Sequence, residues 1–185
     1  MRAPLGVKVV LLAALYAVVA KLGLQMGAVS GFATLVWPPT GIALAVLLVI
    51  DRRLWPGVLL GALAVNVWVG ATPLVAGGIA VGNTAEAMAA AWALRRVPGF
   101  RISLDRMRDA AALIGFGAVL STAVSATVGV LSLYAGGVVS AAHFAETWRA
   151  WWLGDVIGDL VVAPLLLVWT PAGGAAALTP ATAVA

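Results

Sequence analysis

The stretch WRAWWLGDVIGD, Trp148 to Asp159, sets three tryptophans and two aspartates at the head of a run that continues as almost pure hydrocarbon to Trp169. As a helix it places Trp151, Asp155 and Asp159 four residues apart on one face, with Trp148 and Trp152 flanking it on neighbouring turns. Carboxylates at membrane depth cost free energy and are seldom left there without a role, so that face has to look into a protein interior and away from lipid. This run therefore decides both the fold class, helices packed within a bilayer, and the place to look for function.

The rest of the chain agrees. Of its 185 residues 63% are hydrophobic and 10% charged, and the mean hydropathy is +1.09, whereas a soluble domain carries roughly 25% charged residues. The length supplies about six spans of roughly 20 residues and leaves nothing for a folded extramembrane domain. A net charge of +4 and a pI near 10.4 would suggest nucleic acid in a soluble protein. Here the basic residues sit in short loops beside spans and report topology and anionic lipid headgroups, so no nucleic-acid partner is expected. Cysteine is absent, which removes disulfides, thiolate metal sites and thiol chemistry. Arg2, Lys8 and the apolar run after them resemble a signal peptide without its cleavage site and read as a first span.

Hydrophobic runs predict helices at about Val7 to Leu24, Val36 to Ile50, Leu54 to Val69, Pro73 to Leu94, Ala110 to Tyr134 and Trp148 to Trp169. The second is short and opens on Trp37-Pro38-Pro39-Thr40-Gly41, where proline suits a first turn. Met26 to Val36 is then expected as irregular or re-entrant backbone, tolerated only against protein or a wet cavity. In this arrangement Arg2, Lys8, Arg52, Arg53, Arg95, Arg96, Arg101, Arg106 and Arg108 share one side and only Lys21 and Arg149 the other, which predicts that side, and both termini with it, to be cytoplasmic. The loop from Arg95 to Asp109 reads as a positive-inside determinant. Residues 1–170 form one membrane domain, and the uncharged Ala/Thr/Pro/Gly stretch 171–185 reads as a tail or linker. Gly57 and Gly61, and the four-residue series Gly117, Ser121, Ser125, Gly129, read as close-packing surfaces.

Glu86, Asp155 and Asp159 are the acids inside spans, with no Lys or Arg at comparable depth. Each ionised carboxylate near a helix centre costs roughly 2.5 to 3.5 kcal/mol on insertion scales. Relief comes from protonation, from hydrogen bonds by Asn66, Asn83 or the indoles, from a water-filled cavity, or from a bound cation or ligand. Asn83 and Glu86, three apart on the fourth helix behind Gly78 and Gly82, are placed at the depth of Asp159, with Asp155 one turn outward, so the two helices can bring their acids together. Lys21 is a candidate partner for the acids; Arg149 points away from them. The blander readings are a satisfied polar knot for the acids and interface anchoring for Trp37, Trp55 and Trp148. Enzyme chemistry finds no support: His143 stands alone in a loop, no metal-ligand spacing exists, and no P-loop, dinucleotide fingerprint, nucleophile elbow or zinc-protease motif is present.

Several segments together, WPPTGIALAVLL from Trp37, RRLWPGVLLGALAVN from Arg52 to Asn66, GIAVGNTAEA from Gly78 to Ala87, LSTAVSATVGVLSLY from Leu120 to Tyr134 and WWLGDVIGDLVVAPLLLVW from Trp151, resemble in order and spacing the first type of bacterial membrane-associated sensor domain, the MASE family. The resemblance covers about three quarters of the chain. It implies a membrane-embedded input module placed before cytoplasmic output domains such as diguanylate cyclases, cyclic-di-GMP phosphodiesterases or histidine kinases. It carries Trp37, Pro38, Pro39, Thr40, Asn66, Asn83, Glu86, Trp151, Trp152, Gly154 and Asp155 onto its motif positions. Two departures stand out: the family often has about eight spans against six here, and no output domain follows.

The expectation is thus an all-α, six-span sensory module without catalysis. Its candidate ligand site comprises Trp37, Thr40, Asn66, Asn83, Glu86, Trp151, Trp152, Asp155 and Asp159, with the ligand and any cofactor unknown and no metal site. Its partners are the bilayer, a cytoplasmic output domain or protein, and a second copy if it signals through dimerisation. The alternative is a small solute or cation transporter or substrate-capture subunit.

Overall fold

The head of the second helix shows how this sequence folds. Trp37 precedes two prolines, so its own peptide N–H is the last donor before a gap in the backbone supply, and it donates to the carbonyl of Gly154 on a distant helix at 2.9 Å. The computed structural model that shows this describes residues 3–25, 28–29, 33–34 and 36–169. Among them the architecture is helical: α1 Leu5–Gln25, α2 Pro38–Val49, α3 Trp55–Trp68, α4 Pro73–Arg96, α5 Met107–Ala135 and α6 Phe144–Trp169. The exceptions are short 3-10 turns and two two-residue strands, Ala28–Val29 and Ala33–Thr34, paired antiparallel.

All six expected helices are present. Two begin about a turn earlier than their apolar runs, α5 at Met107 and α6 at Phe144, because a helix need not stop where hydrocarbon does: Arg108 and Asp109 head one, Glu146 and Thr147 the other. Of the expected irregular segment Met26 to Val36, residues 28–29, 33–34 and 36 are described, and the tail 171–185 lies outside the described residues. Four helices are long and apolar enough to cross a bilayer, those starting at Leu5, Pro73, Met107 and, with its leading turn, Ala141. With 12 and 14 residues, α2 and α3 reach only about 18 and 21 Å at 1.5 Å per residue.

Close approach through small residues sets the helix directions. A side chain at Gly61 would stand 2.7 Å from the Tyr16 Cβ, and one at Gly57 2.9 Å from the Leu12 Cβ, so α3 runs parallel to α1 in direct backbone contact. A side chain at Gly41 would stand 2.7 Å from Ala163 N, and one at Gly158 would collide with the Trp37 carbonyl, so α2 lies parallel to α6. Gly78 and Gly82 receive Ser132 and Val128 of α5, which runs antiparallel to α4. The helices therefore alternate in direction along the chain.

Arg52, Arg53, Arg95, Arg96, Arg101, Arg106 and Arg108 gather at one end. There Arg95 Nη2 donates to the Leu47 and Leu48 carbonyls at 3.0 and 2.6 Å, satisfying the last turn of α2. The loop from Arg95 to Asp109, expected as a plain charge determinant, is an ordered cap. Phe100 and Ile102 are buried in the core, and the fully buried Asp109 accepts from Arg106 Nε at 2.6 Å and Nη2 at 3.0 Å.

Gly158→Ala is expected to lower stability by about 1–3 kcal/mol, as overpacking does, by pushing α2 off α6. Gly77→Ala, with open space around its Cα, should instead be neutral or gain up to about 1 kcal/mol. Thermal unfolding of both variants in detergent checks this; equal effects would mean that the Trp37 contact does not hold the helices together.

Candidate functional site

Two helices carry the acids and a third closes on them. Asp155 and Asp159 occupy one face of α6, and Glu86 on α4 lies within hydrogen-bonding reach of Asp155. Each is at most 2% exposed. On the α2 side, Thr40 Oγ1 lies 2.9 Å from the Trp37 carbonyl and 3.4 Å from Asp155 Oδ1, so its single proton serves the carbonyl better than the acid. The sharp entry of α2 thus delivers Thr40 to Asp155 and leaves Trp37 itself buried, 8% exposed. The interface-anchor reading of Trp37 is overturned for this reason: its ring belongs to the core beside Tyr16.

A chain of polar contacts crosses the bundle beside these acids. Trp151 Nε1 donates to Ser125 Oγ at 3.1 Å, Ser125 Oγ donates to Asn83 Oδ1 at 2.7 Å, and Asn83 Nδ2 donates to the Tyr16 hydroxyl at 3.0 Å. It links α6, α5, α4 and α1 through buried groups. Gly129 makes it possible, since a Cβ there would stand 2.8 Å from the Trp151 ring. The small-residue series of α5 is thus both a packing surface and the seat that aims an indole at Ser125.

The candidates do not all converge. Trp37, Thr40, Asn83, Glu86, Trp151, Asp155 and Asp159 form the cluster and its wall. Asn66 is buried on α3 but donates to Ala62 of its own helix at 2.8 Å. Trp152 stacks on Trp148, ring centroids 5.8 Å apart, and donates to the Val119 carbonyl at 3.1 Å. Val119 lies in a π-helical segment, Leu113–Leu120, whose wider hydrogen-bonded turns leave carbonyls open to side chains. Lys21, a candidate partner for the acids, instead lies 3.4 Å over the Trp68 ring, and Arg149 donates to Ala145 of its own helix. Tyr16 and Ser125 were missed among the candidates. A tyrosine in mid-span and a serine in the middle of a glycine-serine series were the available signals.

Donors are scarce where acceptors crowd. Among the described residues six buried side-chain polar atoms lack a hydrogen-bond partner, and five belong here: Trp37 Nε1, Glu86 Oε1, Asp155 Oδ2 and both Asp159 oxygens. The sixth is Arg95 Nε. Buried polar atoms are nearly always paired in native proteins, so five such atoms in one place set this cluster apart from the rest of the described core. Among the described residues no group of three His, Cys, Asp or Glu side chains is arranged to hold a metal ion.

A family model, MASE1, matches residues 9–173. Comparison with curated proteins gives no match, and neither does comparison with solved structures.

Asp159→Asn replaces an unpaired acid with a neutral isostere and is expected to raise the stability of the ligand-free protein by about 1–3 kcal/mol, within the insertion cost of a carboxylate. Ser125→Ala, which strands the Trp151 N–H and the Asn83 carbonyl, should lower it by about 1–3 kcal/mol. Detergent melts decide; a destabilised Asp159→Asn would make that carboxyl a bonded structural element.

Proposed function

The chain belongs to MASE1, a family of membrane-associated sensor domains, and from that premise we propose that it detects a ligand at the Glu86, Asp155 and Asp159 cluster and passes the event to a cytoplasmic output domain or partner. Five orphaned polar atoms at the head of α2 and on α4 and α6 carry this reading: a bundle that needed the acids only for cohesion would have paired them. The surrounding chemistry suits recognition: among the described residues no set of three His, Cys, Asp or Glu side chains is arranged to hold a metal ion, and the hydroxyls of Thr40 and Ser125 are bonded to neighbouring acceptors. The proposed setting is the bacterial inner membrane, with all six helices embedded, the arginine-rich end and both termini cytoplasmic, and residues 1–170 as one domain followed by a linker, 171–185. The proposed output is of the diguanylate cyclase, phosphodiesterase or histidine kinase type, with a homodimer as one way to transmit the signal.

One feature favours a transporter instead. α2 is a half-length helix that starts beside buried acids, and helix ends at such depth serve solute and cation sites in transporters. The readings separate in proteoliposomes. A sensor retains ligand without moving it, whereas a transporter accumulates labelled solute.

Native mass spectrometry of the detergent-purified full chain is expected to show a retained small molecule. Asp155→Asn and Glu86→Gln should lose it while keeping a cooperative melt and abolish the output response in cells. Retention unchanged in both variants would place the ligand elsewhere, and solute flux in proteoliposomes would overturn the sensor reading.

A further inference from the structure

Among the described residues no ion pair joins a basic side chain to Glu86, Asp155 or Asp159. Arg95 holds the end of α2, Lys21 sits on Trp68 and Arg149 binds its own backbone. The acids are then relieved either by protonation or by positive charge brought from outside the protein, and a ligand acting here supplies the second. The hydrogen-bond inventory says more about its form. Four orphan atoms are acceptors, Glu86 Oε1, Asp155 Oδ2 and the two Asp159 oxygens, and one, Trp37 Nε1, is a donor. Nearby donors are used up: the Ser125 hydroxyl on Asn83, the Trp151 N–H on Ser125 and the Thr40 hydroxyl chiefly on the Trp37 carbonyl.

A ligand that completes this site must bring positive charge and several donors. Divalent metal ions suit it poorly, since calcium takes six to eight oxygen ligands and magnesium keeps several waters, while the acids are not disposed as a metal set among the described residues. An –NH3+ group carries three donors, no acceptor and one charge. It matches the shortage of donors, and the neighbouring indoles of Trp37 and Trp151 and the Tyr16 ring are groups that stabilise cations.

We propose that the Glu86, Asp155 and Asp159 site takes a monocation that donates N–H hydrogen bonds, either ammonium or the head of a primary amine. Asp159, with both oxygens orphaned, is its principal acceptor. The proposal rests on the reading of the cluster as a ligand site and adds the chemical class of what enters it.

The test is a thermal-shift titration of the full chain in detergent at fixed pH and ionic strength, with ammonium, methylammonium and ethylammonium set against potassium, tetramethylammonium and magnesium. Potassium has nearly the size of ammonium without its donors, and tetramethylammonium has the charge without them. Saturable upward shifts with ammonium or the primary amines alone are expected, weakened at least about tenfold, roughly 1.4 kcal/mol, in Asp159→Asn. That variant is expected to keep its fold, and Glu86→Gln serves as a second probe. A response to ammonium only identifies the free ion, and a stronger one to methyl- or ethylammonium identifies an amine headgroup. Equal shifts from potassium, tetramethylammonium or magnesium overturn the proposal. If no cation acts while the purified chain still retains a small molecule that Asp155→Asn loses, the donor-cation assignment falls and the sensor site stands. If neither is seen, both fall.

Discussion

A single backbone contact between helices governs the rest of the architecture. Two prolines after Trp37 leave the start of α2 short of peptide N–H donors, and the N–H of Trp37 reaches the Gly154 carbonyl of α6. Trp37 is buried, so without this bond the entry of α2 would carry an unpaired peptide group. Pinning needs contact at backbone distance, which the absence of side chains at Gly41 and Gly158 permits. The consequence for the site is direct. Thr40, one turn into α2, comes to rest against Asp155, and the Trp37 ring is drawn out of the interface into the core.

Much of the acid cluster was legible because helical spacing is a strict rule. Trp151, Asp155 and Asp159 at four-residue intervals had to share a face, and hydrocarbon cost had to turn that face inward. Asn83 and Glu86 followed by the same reasoning. The fate of the other polar residues was not legible, because it depends on which neighbour arrives. Asn66 and Trp152 have the same residue types as the cluster, yet one bonds to its own helix and the other to a carbonyl opened by a π-helical segment that no periodicity announces. Lys21 was a plausible counter-charge by depth alone; a tryptophan on α3 lay closer. The six helices were visible as apolar runs, whereas the starts of α5 and α6 were not, since their first turns are polar and hydropathy is blind to them.

The arginine-rich end shows how the same residues serve two purposes. Clustered Lys and Arg orient a membrane chain by number alone, without any structure. Here Arg106 also pairs with the buried Asp109, and Arg95 also closes α2. The desolvation of Asp109 is offset by two short hydrogen bonds from one guanidinium, a geometry that lysine cannot reproduce.

The two ends of α2 connect these regions. Its first turn touches Asp155 through a long, weak contact, and its last carbonyls are held by Arg95 of α4, the same helix that carries Glu86. On the proposed function, a ligand drawing Asp155 toward itself competes with Thr40 for one carboxyl oxygen. It also tightens α4 against α6, between which α2 is tethered. The short helix then has two positions, distinguished by whether Thr40 bonds to the acid or only to the Trp37 carbonyl. A ligand shifts that balance only by the difference in its affinity for the two arrangements. On that reading the looseness of the 3.4 Å Thr40 contact keeps the difference small for the protein to overcome, and Arg95 ties the far end of α2 to the arginine-rich cap.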